Sequence, residues 1–245
     1  MHSMSATADY LKATRHPWPC SLFLLPLLLA YEAGVHYLGG AHPEVLRNGA
    51  DSWLRQGLAV LGMKHHFWAP ALLVVILLLW NSRRYHDRPG DHVGVLSGMA
   101  IESIAFALGL WGVSRALGPL IDYFGLEMST AAVASPAVGQ VVTFVGAGIY
   151  EEVLFRLLLF SGLVALGRRL SGSPALAVSL GALVSALLFS AAHHVGPYGE
   201  PFEGYNFLFR TVAGVYFALL FQLRGFGIAV GAHACYDVVV GVGIG

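Results

Sequence analysis

Glu151, Glu152 and Arg156 stand together in the stretch Ile149-Tyr150-Glu151-Glu152-Val153-Leu154-Phe155-Arg156, which is otherwise almost wholly apolar. Two further polar groups interrupt apolar stretches downstream: Phe189-Ser190-Ala191-Ala192-His193-His194, and Gly231-Ala232-His233-Ala234-Cys235-Tyr236-Asp237. Ionisable side chains inside apolar spans are costly and are functional candidates by default. Helical spacing predicts how these act. Glu152 and Arg156 are four apart, so they share a face and pair. Glu151 is turned by about 100° from Glu152 and is freer to act on a substrate or on water. His233 and Asp237 are again four apart. They either hold the imidazole in one tautomer or aim a neutral ring and a carboxyl at a shared point.

One carboxylate and two imidazoles contributed by three different segments make a hydrolytic site. A carboxylate in a low-dielectric setting suits a general base near neutral pH. Histidine N–H groups can stabilise the oxyanion that forms when water attacks an amide. No Gly-x-Ser-x-Gly elbow surrounds a serine in these segments, no Asp-Asp or Gly-Asp pair points to an aspartyl site, and the His-Glu-x-x-His zinc motif is missing.

The elements that must position these residues follow from composition. Of 245 residues, 56% are hydrophobic and only 11% charged, where soluble domains carry about a quarter charged residues. Fourteen basic and fourteen acidic side chains cannot cover a water-soluble globule this apolar. A soluble enzyme, a disordered chain and a nucleic-acid binder are excluded, and an all-α polytopic transmembrane bundle is expected. At roughly 20 apolar residues per crossing, seven spans are predicted: Trp18 to Leu38, Phe67 to Trp80, Val93 to Leu117, Ala137 to Leu166, Pro174 to His193, Asn206 to Leu223 and Phe226 to Val242. An eighth span, or a re-entrant segment, would reverse the orientation expected for the C-terminal half. Residues 41–62, with Trp53, Leu54, Leu58 and Leu61 among polar neighbours, read as an interfacial amphipathic helix. Three regions result: an N-terminal segment (1–17), N-terminal spans (18–136) and a catalytic core (137–245). Trp18, Trp53, Trp68, Trp80 and Tyr198 read as interfacial belt residues. Cys20 and Cys235, both in apolar segments, read as small core residues rather than a disulfide.

Loop charge sets an expected orientation. Lys12 and Arg15 precede the first span, Arg83, Arg84 and Arg88 follow the second, Arg168 and Arg169 follow the fourth, and Arg224 separates the last two. The loops after the third and fifth spans carry Asp122, Glu127, Glu200 and Glu203 and no Lys or Arg. Only Arg47, Arg55 and Lys64 argue the other way. A multi-pass protein of the cell membrane with a cytoplasmic N-terminus is expected.

A purely structural account competes at each position. Glu151, Glu152 and Arg156 could be an ion-pair cluster locking one helix, His193 an interfacial residue, and His233 with Asp237 an interhelical hydrogen bond. Glu32 and Glu102, also inside spans, read as packing or hydrogen-bonding partners rather than catalysts.

Glu-Glu-x-x-x-Arg at 151–156, Phe-x-x-x-His at 189–193 and His-x-x-x-Asp at 233–237, in this order on successive apolar segments, resemble the motifs of the CPBP intramembrane proteases. That family includes the CAAX-processing endopeptidases. The resemblance covers roughly residues 137–245. It implies a glutamate-activated water with no obligatory metal or cofactor. Glu151 is then the base, Glu152 and Arg156 brace the helix, His193 assists, and His233 with Asp237 stabilises the oxyanion. The third motif ends in Asp where the eukaryotic enzymes have Asn, so Asp237 serves only if protonated, or His233 donates alone. His194 competes with His193, and the Phe189 spacing favours His193. The expected function is an intramembrane endopeptidase that hydrolyses a peptide bond in a membrane-anchored protein, with C-terminal sorting tails one class of substrate. Its partners are that substrate and the lipid bilayer, with no nucleic acid. The rival is a non-catalytic membrane chaperone or immunity factor on the same scaffold.

Overall fold

The computed structural model describes residues 9–84, 89–123, 138–196 and 199–241. Arg88, Glu127, Tyr198 and the span limits at Ala137 and Val242 lie outside them, as does the side chain of Asp122. The described elements are helical, with no strand among them. The first long helix, α1 (Pro17–Gly39), starts where proline suits the first turn and His16 Nδ1 accepts the Trp18 amide at 3.1 Å. A 3₁₀ turn (Pro43–Leu46) and the amphipathic α2 (Gly49–Val60) follow, within the predicted interfacial segment. Asn48 caps α2 by accepting the Asp51 amide at 2.7 Å.

Next come α3 (Trp68–Ser82) and α4 (His92–Tyr123). The fourth predicted span is not one regular helix. It comprises α5 (Val138–Glu152), a π-helical stretch (Val153–Phe160) and α6 (Ser161–Ser171), and so runs past the predicted limit at Leu166. Ser161 marks the wide turn, donating both its amide and its hydroxyl to the Arg156 carbonyl five residues back. Such π segments concentrate at functional sites. This one begins directly after the Glu151–Glu152 pair. The chain then forms α7 (Pro174–Ala192), α8 (Gly204–Arg224) and α9 (Phe226–Gly241). Helices α1, α4, α7 and α8 are long and apolar enough to cross a membrane, while α3 and α9 are apolar but shorter.

Of the last three helices the shortest, α9, is the central one. α9 packs on α4, α5, α8 and α1, and every residue from Phe226 to Ala234 is buried. A helix apolar on all faces belongs inside a bundle, and α9 meets its neighbours through small residues. A Cβ on Gly148 of α5 would lie 2.7 Å from the Ala234 backbone nitrogen. A Cβ on Gly231 would lie 2.3 Å from Ser103 Oγ of α4. Close backbone approach is how membrane helices gain packing energy where lipid is as apolar as leucine. Leucines and isoleucines of α3, α4 and α7 point outward, including Leu78, Ile101 and Leu180.

Both isolated acids of the N-terminal spans are partnered, as expected. Glu102 receives Arg224 through two hydrogen bonds of 2.8 and 2.6 Å, tying α4 to the end of α8. Glu32 belongs to a closed ring of four charges. Arg47 reaches Glu32 at 3.2 Å and Asp51 at 2.7 Å, and Arg55 reaches Glu32 at 2.8 Å and Asp51 at 2.6 Å. Each guanidinium thus meets both carboxylates. Tyr31 donates to Asp51 at 2.8 Å and Tyr150 to Glu32 at 2.9 Å, which fastens α2 to α1 and to the residue preceding Glu151. Cys20 and Cys235 are free thiols, as expected.

Candidate active site

The wholly buried part of the site is built on Glu152. Its side chain has no exposed area, and its Oε1 lies 3.0 Å from Arg156 Nη1 and 2.8 Å from His233 Nδ1. A carboxylate accepts, so the proton of that contact belongs to Nδ1 of His233, and Nε2 is turned to the opposite side. Arg156 lies in the π stretch, fully buried. Its guanidinium sits 4.4 Å above the Phe189 ring and 5.3 Å from Phe217, and Nη2 approaches the Gly214 carbonyl at 3.4 Å. Phe217 stacks on His233 with ring centres 4.5 Å apart and planes 12° from parallel. Aromatic faces are what a desolvated guanidinium and an imidazole carrying positive charge prefer as neighbours.

The partly exposed edge lies on the other side of that imidazole. His233 Nε2 is 3.6 Å from Glu151 Oε2 and 3.5 Å from Asp237 Oδ2. His193, just past the last residue of α7, brings Nε2 to 4.0 Å from the same Glu151 oxygen. Its Nδ1 donates to the Phe189 carbonyl at 2.9 Å. In the neutral ring, Nε2 therefore carries the lone pair. Exposure separates the roles. Glu151, Asp237 and His193 side chains are 12%, 23% and 24% exposed, against 0% for Glu152. Of the two adjacent glutamates, Glu151 is the one that water can reach.

All six predicted residues meet. Glu151, Glu152 and Arg156 come from α5 and its π extension, His193 from the end of α7, and His233 and Asp237 from α9. His194 does not join them. Its Nδ1 donates to the Glu200 carbonyl at 3.1 Å, and its ring packs near Phe202 and Phe207. The pairing of Glu152 with Arg156 holds as expected. Glu152 also holds the imidazole of His233 through Nδ1, one of the two roles the spacing leaves open for Asp237. Among the described residues, no three His, Cys, Asp or Glu side chains come together as a group that could hold a metal ion.

One charged residue, Arg210, escaped the sequence reading. Arg210 of α8 pairs with Glu200 at 2.7 Å, and its charge acts on Glu151, His193 and Asp237. Arg210, Gly214 and Phe217 are spaced i, i+4, i+7 and share the site-facing stripe of α8. The Glu200 amide in turn donates to the His193 carbonyl at 2.8 Å, so the loop after α7 is folded over His193. The available signal was an arginine within the sixth predicted span. Phe217 had no sequence signal apart from its place on that stripe.

A search of the curated proteins and one of the solved structures each found no match. A scan against protein families matched residues 133–239 to the family described as Rce1-like, type II CAAX prenyl endopeptidase Rce1-like. That stretch contains all six site residues, and the match agrees with the resemblance to the CPBP proteases carried by the three motifs.

Proposed function

We propose that the chain is an intramembrane glutamic endopeptidase that cuts a membrane-anchored protein, with a C-terminal hydrophobic tail as the segment removed. The observation that carries this reading is the convergence of Glu151, His193, His233 and Asp237 within 3.5–4.0 Å contacts at the one partly open edge of a buried ion-pair assembly.

In this mechanism a water seated between Glu151 and His193 donates one proton to the Glu151 carboxylate and the other as a hydrogen bond to His193 Nε2. Its oxygen attacks the scissile carbonyl carbon, forming the tetrahedral intermediate. His233, ringed by Glu151, Glu152 and Asp237, donates from Nε2 as an imidazolium to the oxyanion. Asp237 serves either protonated, as a second donor, or as the carboxylate that aims the ring. Glu151 then passes its proton to the leaving amine, the carbon–nitrogen bond breaks, and both carboxylate and imidazole return to their starting state.

Helices α3 and α9 and the α5–α6 run complete seven crossings on this reading, with the N-terminus in the cytoplasm. Arg47 and Arg55, two of the three residues that count against that orientation, are ion-paired with Glu32 and Asp51. The site then opens to the side where α7 ends, away from the cytoplasm.

The test compares protein termini by mass spectrometry in membranes of cells expressing wild type or Glu151→Ala at equal level. Retention of an extra hydrophobic tail on one or a few proteins only in the variant supports the protease and identifies its substrate. Identical termini, with both chains rescuing a deletion phenotype, overturn it in favour of a membrane chaperone or immunity factor.

A further inference from the structure

Two adjoining cavities lie at the N-terminal ends of α1 and α4 and the C-terminal end of α3, toward the opposite end of α1 from the Glu32 ring. The first, about 530 Å³, is lined in part by Asp9, Lys12, Arg84 and Asp91. Asp91 is committed to capping α4, accepting the Gly94 amide at 2.8 Å. The second, about 560 Å³, is lined by Leu11, Lys12, Arg15, Trp80 and Arg84. That wall holds three cations and no acid. None of the three makes an ion pair among the described residues, whereas Arg47, Arg55, Arg156, Arg210 and Arg224 all do.

What occupies such a cavity is decided by what adjoins it. α3 buries Leu73, Leu77 and Asn81 on one face and exposes Leu72, Val75, Leu78 and Leu79 on another. The exposed face is a continuous apolar stripe ending at Trp80, which lines the cavity. A soluble anion has no use for that stripe, whereas a phospholipid lays its acyl chains along it and brings its phosphate to the end. Tryptophan at the junction fits the headgroup level, where one edge is apolar and the other wet. Arginine and lysine then supply bidentate and point-charge contacts to phosphate oxygens.

We propose that Lys12, Arg15 and Arg84, with Trp80, form a binding site for the phosphate of an anionic phospholipid whose acyl chains run along the exposed face of α3. The occupant is a lipid rather than free phosphate because cation cluster, interfacial tryptophan and apolar stripe are continuous. The site is separate from the Glu151 centre and stands whether or not the chain is a protease.

The full chain, purified in a neutral detergent, is titrated with phosphatidylglycerol, phosphatidylcholine or inorganic phosphate, and retained lipid is read by native mass spectrometry. Phosphatidylglycerol is expected to bind and phosphatidylcholine to be washed away. Each basic side chain near an anionic headgroup is worth a factor of about five, so Lys12→Gln with Arg84→Gln weakens binding roughly thirtyfold. Lys12→Gln alone, at an exposed residue, carries the same test at about fivefold. Arg168→Gln with Arg169→Gln removes the same charge from the exposed last turn of α6 and leaves binding unchanged. Equal retention of phosphatidylcholine, equal loss in the α6 variant, or inorganic phosphate binding as tightly as the lipid each overturns the proposal.

Discussion

Glu152 Oε1 lies 2.8 Å from His233 Nδ1, across 81 positions of sequence. The contact joins the first and third motifs through a carboxylate that solvent cannot reach. It divides labour between two neighbouring glutamates. Glu152 neutralises Arg156 and fixes the ring of His233, which leaves Glu151 and Asp237 as the acids on the Nε2 side of that ring.

The two glutamates should therefore fail differently. Glu151→Gln keeps the volume and loses the base, so cleavage of the accumulated tail falls by about 10²–10⁴-fold while the melting temperature in detergent holds. Glu152→Gln leaves the buried Arg156 guanidinium without its carboxylate. Removing one partner of a buried pair costs about 3–5 kcal/mol, so this variant loses both activity and thermal stability. Equal destabilisation by the two substitutions would make both of them scaffold.

Gly148→Ala tests the approach of α5 to α9. The added methyl would sit 2.7 Å from the Ala234 backbone nitrogen, one residue from His233. Backbone cannot swing aside as a long side chain can, so the helices must part. Overpacking of this kind costs about 1–3 kcal/mol. Separation lengthens the Glu152–His233 contact as well. The expected outcome is a lowered melting temperature with a larger loss of turnover than Gly162→Ala, whose Cβ meets nothing.

The spacing of Glu151, Glu152 and Arg156, and of His233 and Asp237, was enough to place each group on a helix face, because i, i+4 geometry is local. The meeting of those faces was legible only through the order of the motifs. Three features were not legible. The π stretch at Val153–Phe160 contains no glycine or proline and leaves no mark in residue type. The hold of Glu152 on His233 depends on how α9 is rotated against α5, which Gly148 and Ala234 set through packing. The ring of Glu32, Arg47, Asp51 and Arg55 joins a span to an interfacial helix, and loop-charge counting treated its arginines as free positive charge.

Asp51→Asn probes that ring. The Asp51 side chain is fully buried and meets Arg47, Arg55 and Tyr31, so its neutralisation leaves two guanidiniums sharing Glu32. A loss of about 3–5 kcal/mol is expected, read as a lowered melting temperature and faster proteolysis around α2. Burial opposes the charge on Arg47, yet its hydrogen bonds and attraction to Asp51 and Glu32 carry its pKa above the ordinary guanidinium value. A raised basic pKa stabilises the fold at every pH below the unfolded value, and the gain is lost only as pH climbs through the raised one. The stability difference between wild type and Arg47→Gln should therefore stay level from neutral pH to about pH 10, well short of the ordinary arginine range. A difference that fades over this interval would show that the Arg47 charge is not what the ring uses.

Arg210 and Glu200 separate a field effect from a loop effect at the partly exposed edge. The pair is partly solvated, with side chains 20% and 51% exposed, so breaking it costs under about 1 kcal/mol of stability. Glu200→Gln keeps the backbone contact of residue 200 to the His193 carbonyl and leaves the Arg210 charge in place, so cleavage should be near wild type. Arg210→Gln removes a positive charge that acts on Glu151, His193 and Asp237 from the stripe that also carries Phe217. A tenfold loss in turnover corresponds to about 1.4 kcal/mol at the barrier, and a loss of that order is expected with melting unchanged. Equal losses in both variants would place the effect in the loop covering His193, since that loop is what the two side chains share. Turnover kept by both would leave His193 held by its Phe189 contact and the backbone of residue 200 alone.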